Sequence, residues 1–266
     1  MENKNNLICV SGKINSGKDL VGKIIQYLGV GADGAGISFE DWDGQPVWGD
    51  ENNKFHKTSF QIKKYADKLK DMVCMLIGCI RYDLESHDFK NKELGEEWWK
   101  YEQYDKSTGE WEATSKDFYT RLKHVKAANF RIIKPTPRDF LQLTGTEFGR
   151  QILHPQVWVN AMFADYGEFI GEHEGVREAD EYIYPNWVIT DCRFENEAEA
   201  VKSRRGIVIR VERPCKNCPN KECNCDKAPE HASETGLDSY KGFDHVIVND
   251  GSINDLVEKI RKLGLV

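Results

Sequence analysis

One stretch near the start of the chain reads Leu7-Ile-Cys-Val-Ser-Gly12-Lys-Ile-Asn-Ser-Gly17-Lys18-Asp19. The apolar run at 7–10 predicts a strand that ends at a glycine. Apolar residues then recur at helical spacing after Lys18, which predicts a helix over about 18–28. Four residues separate the two glycines, and a lysine follows the second. This order of strand, glycine-containing loop and helix is typical of a loop that holds phosphate groups.

Such a loop turns its backbone N–H groups towards a phosphate chain, and the helix N-terminus adds partial positive charge. The lysine of the motif reaches the β- and γ-phosphates. We therefore predict that a nucleoside triphosphate is held by Gly12, Asn15, Ser16, Gly17, Lys18, Asp19 and Leu20.

Asp19 stands where this type of loop usually carries a Ser or Thr hydroxyl that binds Mg²⁺. Polyphosphate repels a carboxylate unless a divalent cation lies between them. The sequence therefore predicts that Asp19 is a ligand of Mg²⁺.

Composition limits the classes of protein to consider. The chain has 266 residues, of which 39% are hydrophobic and 11% aromatic, enough for one large α/β domain with insertions. A net charge of −7 disfavours a broad nucleic-acid surface, which needs net positive charge. A small anionic ligand in a local basic cleft remains compatible with it.

The sequence predicts neither a signal peptide nor a membrane-spanning segment. The polar residues 1–6 lead directly into the first strand, so we expect no signal peptide. The longest near-apolar run, 72–80, is too short to span a bilayer. We expect a cytoplasmic protein in which Cys9, Cys74, Cys79 and Cys192 are reduced core residues.

The first half of the chain mixes loops with one clear helix. Residues 29–53 are rich in glycine and aspartate and predict a long loop. Apolar spacing over 60–78 predicts a helix whose polar flank carries Lys63, Lys64, Lys68 and Lys70. That flank is either a solvated face or a contact to a substrate phosphate. Residues 96–120 predict a hairpin turning near 105–109, whose aromatic residues either pack across strands or grip a base.

The middle of the chain predicts two further helices. One begins at Pro137 and breaks at Gly145, with Arg138 and Gln142 on one face. The pair Gly145-Thr146 lets backbone approach a ligand. The second helix covers 158–166.

The last third predicts alternating strands and helices. A buried strand over 186–191 ends in Asp191, at the edge of a parallel sheet where ligands collect. Arg193 then either meets a phosphate or pairs with Glu197 on the surface. Further strands at 206–211 and 244–250 and a final helix over 254–263 complete a parallel sheet covered on both sides.

Four cysteines are clustered in a separate segment. Cys215, Cys218, Cys223 and Cys225 have the spacing C-x₂-C-x₄-C-x-C, which in a reducing compartment suits one tetrahedral Zn²⁺. The alternatives are an unmetallated loop and two disulfides. A four-thiolate zinc is structural, because it leaves no open position for chemistry.

Four segments together resemble the bacteriophage deoxynucleoside monophosphate kinases, a branch of the P-loop kinases. They are Gly12-x₃-Ser16-Gly17-Lys18-Asp19, Tyr65-Ala-Asp-Lys-Leu-Lys70, Arg138-Asp-Phe-Leu-Gln-Leu-Thr-Gly-Thr146 and Trp187-Val-Ile-Thr-Asp-Cys-Arg193-Phe-Glu-Asn-Glu197. A weaker match is His231-Ala-Ser-Glu-Thr-Gly-Leu followed by Val246-Ile-Val-Asn-Asp-Gly. The segments 29–60 and 96–120 and the cysteine cluster lie outside the resemblance.

The resemblance implies Mg²⁺-dependent phosphoryl transfer from ATP to a deoxynucleoside 5′-monophosphate, in phage DNA precursor synthesis. It implies catalytic roles for Lys18, Arg138 and Arg193, and places Asn249 and Gly251 beside adenine. The monophosphate nucleotide is expected to contact Lys68, Lys70, Arg138, Gln142, Gly145, Thr146, Trp158, Asp191, Arg193 and Glu197.

The fold implied is the three-layer α/β/α architecture of P-loop NTPases, as one kinase domain over 1–266. We expect an insertion-rich nucleotide-binding region over 29–135 and a small Cys-rich lid over 213–235. The expected partners are small-molecule nucleotides in the host-cell cytoplasm; a homodimer is compatible with this interpretation. The alternatives are another P-loop small-molecule kinase, such as a dephospho-coenzyme A kinase, and a zinc-containing nucleic-acid-binding module.

Overall fold

The computed structural model describes residues 6–42, 44, 60–122, 129–169, 182–214 and 235–266. The chain divides into a first unit, 1–67 with 158–266, and a second unit, 68–157. The strands are β1 (Leu7–Gly12), β2 (Gln61–Lys63), β3 (Lys100–Asp105), β4 (Glu110–Thr114), β5 (Phe130–Ile133), β6 (Glu168–Phe169), β7 (Tyr182–Ile183), β8 (Trp187–Cys192), β9 (Ile207–Glu212) and β10 (His245–Val248). The α-helices are α1 (Lys18–Gly29), α2 (Ala66–Ile77), α3 (His87–Lys90), α4 (Lys116–Leu122), α5 (Pro137–Gln142), α6 (Val157–Phe163), α7 (Glu195–Lys202) and α8 (Ile253–Arg261).

A five-stranded parallel sheet forms the centre of the first unit. Its strand order is β10-β9-β1-β8-β2, so β1 is the middle strand. Leu7, Ile8, Cys9 and Val10 are all at most 1% exposed, because neighbouring strands and two helical layers cover them. The loop after β1 therefore leaves the middle of the carboxyl edge of the sheet, where ligands bind in open α/β proteins.

Alternate residues of β1 face two separate apolar clusters. Ile8 and Val10 belong to a cluster with residues of α1 and α8. Leu7 and Cys9 belong to another with residues of α6 and α7. Because successive strand residues point to opposite faces, the sheet is covered on both sides. This confirms the predicted α/β class with a parallel sheet; the predicted Cys-rich lid lies in part outside the described residues.

Helix α1 packs closely on β8 at a glycine. A Cβ atom built on Gly22 would lie 2.4 Å from Thr190 Cγ2. The absence of a side chain at Gly22 thus lets α1 pack closely against β8, which helps to set the direction of the helix after the loop.

The second unit contains an antiparallel sheet with the order β4-β3-β5. Strands β3 and β4 form the predicted hairpin, with a turn at 106–109. Tyr104 and Trp111 pair across it with ring centroids 5.4 Å apart, which is the packing alternative for these aromatic residues.

Two helical predictions near the unit boundary were wrong in detail. Helix α5 does not break at Gly145 but continues as a π-helix, Leu143–Leu153. Gly145 is buried, and a Cβ there would lie 2.9 Å from Leu69 Cδ2, so the glycine serves close packing instead of ending the helix. Lys63, expected on the helical flank, lies on β2, because α2 begins only at Ala66.

Two of the four scattered cysteines behave as expected. Cys9 and Cys192 are buried in the core of the first unit, and burial raises the pKa of the Cys9 thiol. Cys74 and Cys79 are only half-buried, with Sγ atoms 3.6 Å apart. The clustered cysteines 215–225 lie outside the described residues. None of the helices in the described ranges is long and apolar enough to cross a membrane.

Asp244 links the edge of the sheet to α7 and gives a pH-dependent prediction. Its carboxylate contacts the Lys202 ammonium and accepts the Val208 N–H at 2.8 Å. Burial raises the pKa of this carboxyl, but these two partners outweigh it and hold the pKa below its ordinary value. A carboxyl with a lower pKa in the folded chain adds stability above its unfolded pKa and loses it as pH falls through the folded one.

We therefore expect Asp244→Asn to lower the free energy of unfolding by about 1 kcal/mol at pH 7. The difference from wild type should shrink as the pH falls below about 4. Urea denaturation at pH 7 and thermal unfolding at decreasing pH would measure it. A gap that stays constant down to pH 3 would contradict the assigned role of the charge.

Candidate functional site

The loop between β1 and α1 has the backbone of a phosphate cradle. Asn15 and Gly17 have positive φ angles of 61° and 98°, and the Ser16 N–H donates to the Lys13 carbonyl at 3.1 Å. Consecutive residues near helical and left-handed conformations turn their N–H groups towards one side, forming an anion-binding concavity. The first N–H groups of α1 also lack partners within their own helix.

Both glycines of the motif are required by this geometry. A Cβ on Gly12 would lie 2.3 Å from Ser16 Oγ and 2.8 Å from the Val211 carbonyl oxygen. A Cβ on Gly17 would lie 2.5 Å from Asn249 Nδ2, in addition to the strain of its positive φ. The spacing of the motif is thus set by packing around the loop as well as by ligand chemistry.

Polar groups in the loop fit a phosphate chain. Ser16 Oγ is buried and has no hydrogen-bond partner among the described residues. Lys18 is only 9% exposed, and its Nζ lies 3.4 Å from the Lys13 carbonyl oxygen. Because buried hydroxyls normally find a partner, the Ser16 hydroxyl is suited to a ligand oxygen.

Asn249 supports the loop from the end of β10. Its Nδ2 donates to the Ser16 carbonyl at 2.9 Å, so this residue adjoins the cradle. Gly251 lies just before α8, where a Cβ would approach the Asp255 side chain at 2.5 Å. That side chain caps α8 through Ser252, so Gly251 makes room for the cap.

The carboxylate of Asp19 is bound by two groups. Lys64 Nζ lies 2.9 Å from Asp19 Oδ1, and the Thr190 hydroxyl donates to the same oxygen at 2.9 Å. Partial burial raises the pKa of the Asp19 carboxyl, but Lys64, Thr190 and Lys18 outweigh it and leave the pKa below its ordinary value. Asp19 is therefore an anion at neutral pH. Neither partner was identified from the sequence as a contact of Asp19.

The contact with Thr190 also brings Asp19 close to the carboxyl end of β8. Thr190, the partner of Asp19, immediately precedes Asp191. Asp191 accepts the backbone N–H groups of Tyr65 and Ala66 at 2.7 and 3.0 Å. Burial raises the pKa of this carboxyl even though both N–H groups lower it. The carboxylate thus fixes the start of α2 against the carboxyl end of β8.

The turn after β8 is organised by Glu197, which is only 2% exposed. Its Oε2 accepts the backbone N–H groups of Arg193 and Phe194 at 2.8 and 3.2 Å. The Tyr65 hydroxyl donates to the Glu197 carbonyl at 2.9 Å. The backbone N–H of Arg193 therefore binds Glu197, and the Glu197 side chain is buried instead of lying on the surface. Trp158, another predicted contact, is 4% exposed on α6.

The other predicted substrate residues lie in the second unit. Lys68 is exposed on α2, and Lys70 binds both carboxylate oxygens of Glu85 at 2.8 and 2.9 Å. Arg138 Nε donates to Asn91 Oδ1 at 2.8 Å. Gln142 is exposed at the end of α5, while Gly145 and Thr146 belong to the π-helix.

No group of three or more His, Cys, Asp or Glu side chains that could hold a metal occurs among the described residues. The predicted zinc ligands Cys215, Cys218, Cys223 and Cys225 are outside those residues.

A parallel sheet whose middle strand runs through this loop into a helix defines a phosphate-binding-loop α/β protein. A family model described as deoxynucleotide monophosphate kinase matches residues 53–260, most of the chain. The chain belongs to this family. The matched range begins after the phosphate-binding loop, so the geometry above is independent support for that loop.

Three curated relatives carry related names. The chain is 28% identical over 126 residues to the deoxynucleotide monophosphate kinase of Escherichia phage RB69, covering 47% of this chain and 43% of the relative. It is 27% identical over 132 residues to a putative deoxynucleotide monophosphate kinase of Acanthamoeba polyphaga mimivirus, covering 47% and 59%. It is 31% identical over 123 residues to the deoxynucleoside-5′-monophosphate kinase of Escherichia phage T5, covering 46% and 42%. The chain thus spans about half the length of these relatives.

Proposed function

We propose that the protein transfers the γ-phosphoryl group of ATP to a deoxynucleoside 5′-monophosphate, giving a deoxynucleoside diphosphate for DNA precursor synthesis. The observation that carries this proposal is the buried Ser16 hydroxyl, two positions before Lys18, in a loop of phosphate-cradle geometry. No residue in the described part of the chain offers this hydroxyl a hydrogen-bond partner. Family membership directs the proposal to nucleotide monophosphates as acceptors.

The donor nucleotide would be held at the loop. Backbone N–H groups of Gly12, Asn15, Ser16, Gly17, Lys18, Asp19 and Leu20 surround its phosphates, and the Lys18 ammonium offsets their charge. Asn249, which supports the Ser16 carbonyl, and Gly251 border the adenine.

Asp19 fits a role towards Mg²⁺. Its carboxylate is anionic, its side chain is 60% exposed, and it lies directly after the loop lysine. A hard cation such as Mg²⁺ prefers oxygen ligands of this kind. Held there, Mg²⁺ would supply positive charge that offsets the negative charge developing during transfer.

The acceptor is proposed to contact Lys68, Lys70, Arg138, Gln142, Gly145, Thr146, Trp158, Asp191 and Arg193. Glu197, expected among these contacts, is proposed to act at the same site by holding the turn that carries Arg193. Phosphoryl transfer requires little covalent chemistry from the protein, so positioning and charge neutralisation by Lys18, Arg138 and Arg193 supply most of the rate enhancement. A general base is unnecessary because the acceptor phosphate is already an anionic nucleophile. Asp191 and Glu197 bind backbone N–H groups, which suits them to hold the turn around the acceptor.

Water has to be kept away from the donor, since it competes with the acceptor for the phosphoryl group. We assign this task to the Cys-rich segment 213–235, as a lid stiffened by structural Zn²⁺, in a single kinase domain over 1–266. The region 29–135 supplies the nucleotide-binding insertions. A homodimer in the cytoplasm is part of the same proposal.

An acceptor screen tests the proposed function. Purified protein is incubated with γ-labelled ATP and Mg²⁺ and with each deoxynucleoside monophosphate, and label should appear in at least one diphosphate. Dephospho-coenzyme A serves as an alternative acceptor, and salt-dependent oligonucleotide binding tests the non-kinase alternative. Transfer only to dephospho-coenzyme A, or to no acceptor, would overturn the assignment. Elemental analysis of the same sample tests the zinc.

A further inference from the structure

Lys64 makes a contact at the loop that the sequence did not foresee and that the proposed function does not use. It follows β2 at the carboxyl edge of the sheet, and its Nζ lies 2.9 Å from Asp19 Oδ1. The Lys64 side chain is 31% exposed, so water only partly screens the pair.

The backbone around Lys64 is held on both sides, which fixes where its side chain starts. The Lys64 N–H donates to Asp67 Oδ2 at 3.0 Å, and the Asp67 N–H donates back to the Lys64 carbonyl at 3.0 Å. The next two N–H groups, of Tyr65 and Ala66, bind Asp191. The ammonium is therefore presented to Asp19 from a rigid connection and not from a free loop.

Asp19 is in turn held in place for this contact. The Thr190 hydroxyl on β8 and Lys64, which follows the neighbouring strand β2, both bind Asp19 Oδ1. The carboxylate nevertheless remains 60% exposed, so a hydrated cation can reach it from solvent. An ammonium and a divalent cation cannot both neutralise one carboxylate without repelling each other.

We propose that Lys64 is a positioning residue that acts as the counter-ion of Asp19 and competes with the divalent cation for its carboxylate. The pair holds Asp19 against Thr190 when no metal is bound and sets how readily the metal–nucleotide complex is taken up. This inference rests on the proposed function, because it requires a triphosphate at the loop.

The test compares Lys64→Met with Lys63→Met. Both variants remove one positive charge from adjacent positions, but Lys63 Nζ lies over the Trp187 ring, 5.0 Å from its centroid, and not at Asp19. Mn²⁺ serves as the probe, and its binding is followed by electron paramagnetic resonance with a non-hydrolysable ATP analogue present. A third variant, Lys64→Arg, retains the charge.

We expect Lys64→Met to tighten Mn²⁺ binding roughly three- to fivefold relative to Lys63→Met, because a partly screened ion pair has a small interaction energy. Lys64→Arg should restore the wild-type affinity. Equal Mn²⁺ affinities for the two methionine variants, or weaker binding in Lys64→Met, would overturn the inference.

Binding of the analogue to the wild-type protein is measured first, by calorimetry. If the wild-type protein does not bind the analogue, the proposed function itself is contradicted. If it binds the analogue but Lys64→Met and Lys63→Met have the same Mn²⁺ affinity, only the role of Lys64 is contradicted. Thermal unfolding of all three variants without nucleotide confirms that the same folded protein is being compared.

Discussion

Replacing Lys18 by alanine is expected to lower the turnover number for phosphoryl transfer by about a thousandfold or more. The loop lysine is a buried cation at the phosphate cradle, and removal of one preorganised group that stabilises transition-state charge costs on the order of 10²–10³ in rate. Lys18 carries a full positive charge in a poorly hydrated position, so the rate loss on removing it should lie at or above the upper end of that range. Steady-state kinetics with labelled ATP would measure the loss.

Lys23→Ala is the matched control for this experiment. Lys23 lies on the same helix and is exposed, so its removal changes the net charge equally without touching the loop. Alanine at position 18 keeps the first turn of α1 helical and leaves the apolar face of that helix unchanged. We therefore expect both variants to unfold within a few degrees of wild type. Near-normal turnover in Lys18→Ala would contradict the phosphate-binding role of the loop.

The sequence predicted well those parts of the site whose structure is determined by residues close together in the sequence. The strand, loop and helix around residues 7–29 follow from apolar periodicity and from glycine spacing, and their bounds agree with the structure. The strand predicted over 186–191 is observed as β8, Trp187–Cys192, and it was found because a buried parallel strand is a continuous apolar run.

What the sequence missed depends on contacts between distant segments. Lys64 and Asp19 are 45 positions apart, and Thr190 is 171 positions from Asp19, so no local pattern joins them. Gly145 was taken as a helix break because glycine usually disfavours helices, but packing against Leu69 reverses that preference. Lys64 was predicted on the flank of a helix over 60–78, so its position after a strand at the edge of the sheet became visible only in the structure.

Glu197 shows why a residue near a ligand site can be important without touching the ligand. The family resemblance implied a nucleotide contact, yet the side chain is 2% exposed and its Oε2 binds two backbone N–H groups. Those bonds hold the turn that carries Arg193, so we assign the carboxylate a positioning role. A capping carboxylate also stabilises the N-terminus of α7, where the helix dipole is positive.

Glu197→Ala should lower the free energy of unfolding by about 3 kcal/mol, because it leaves two partly buried N–H groups unpaired and a cavity in the core. Glu197→Gln keeps an acceptor oxygen of the same reach and should cost less than about 1 kcal/mol. Urea denaturation would measure both, with the slope m unchanged if only the native contacts are lost. If Glu197 positions the turn, the Gln variant also keeps a KM for the monophosphate close to wild type. A stable Gln variant whose KM rises tenfold would contradict the positioning role. It would indicate that Glu197 contacts the nucleotide directly, because the substitution removes only the charge.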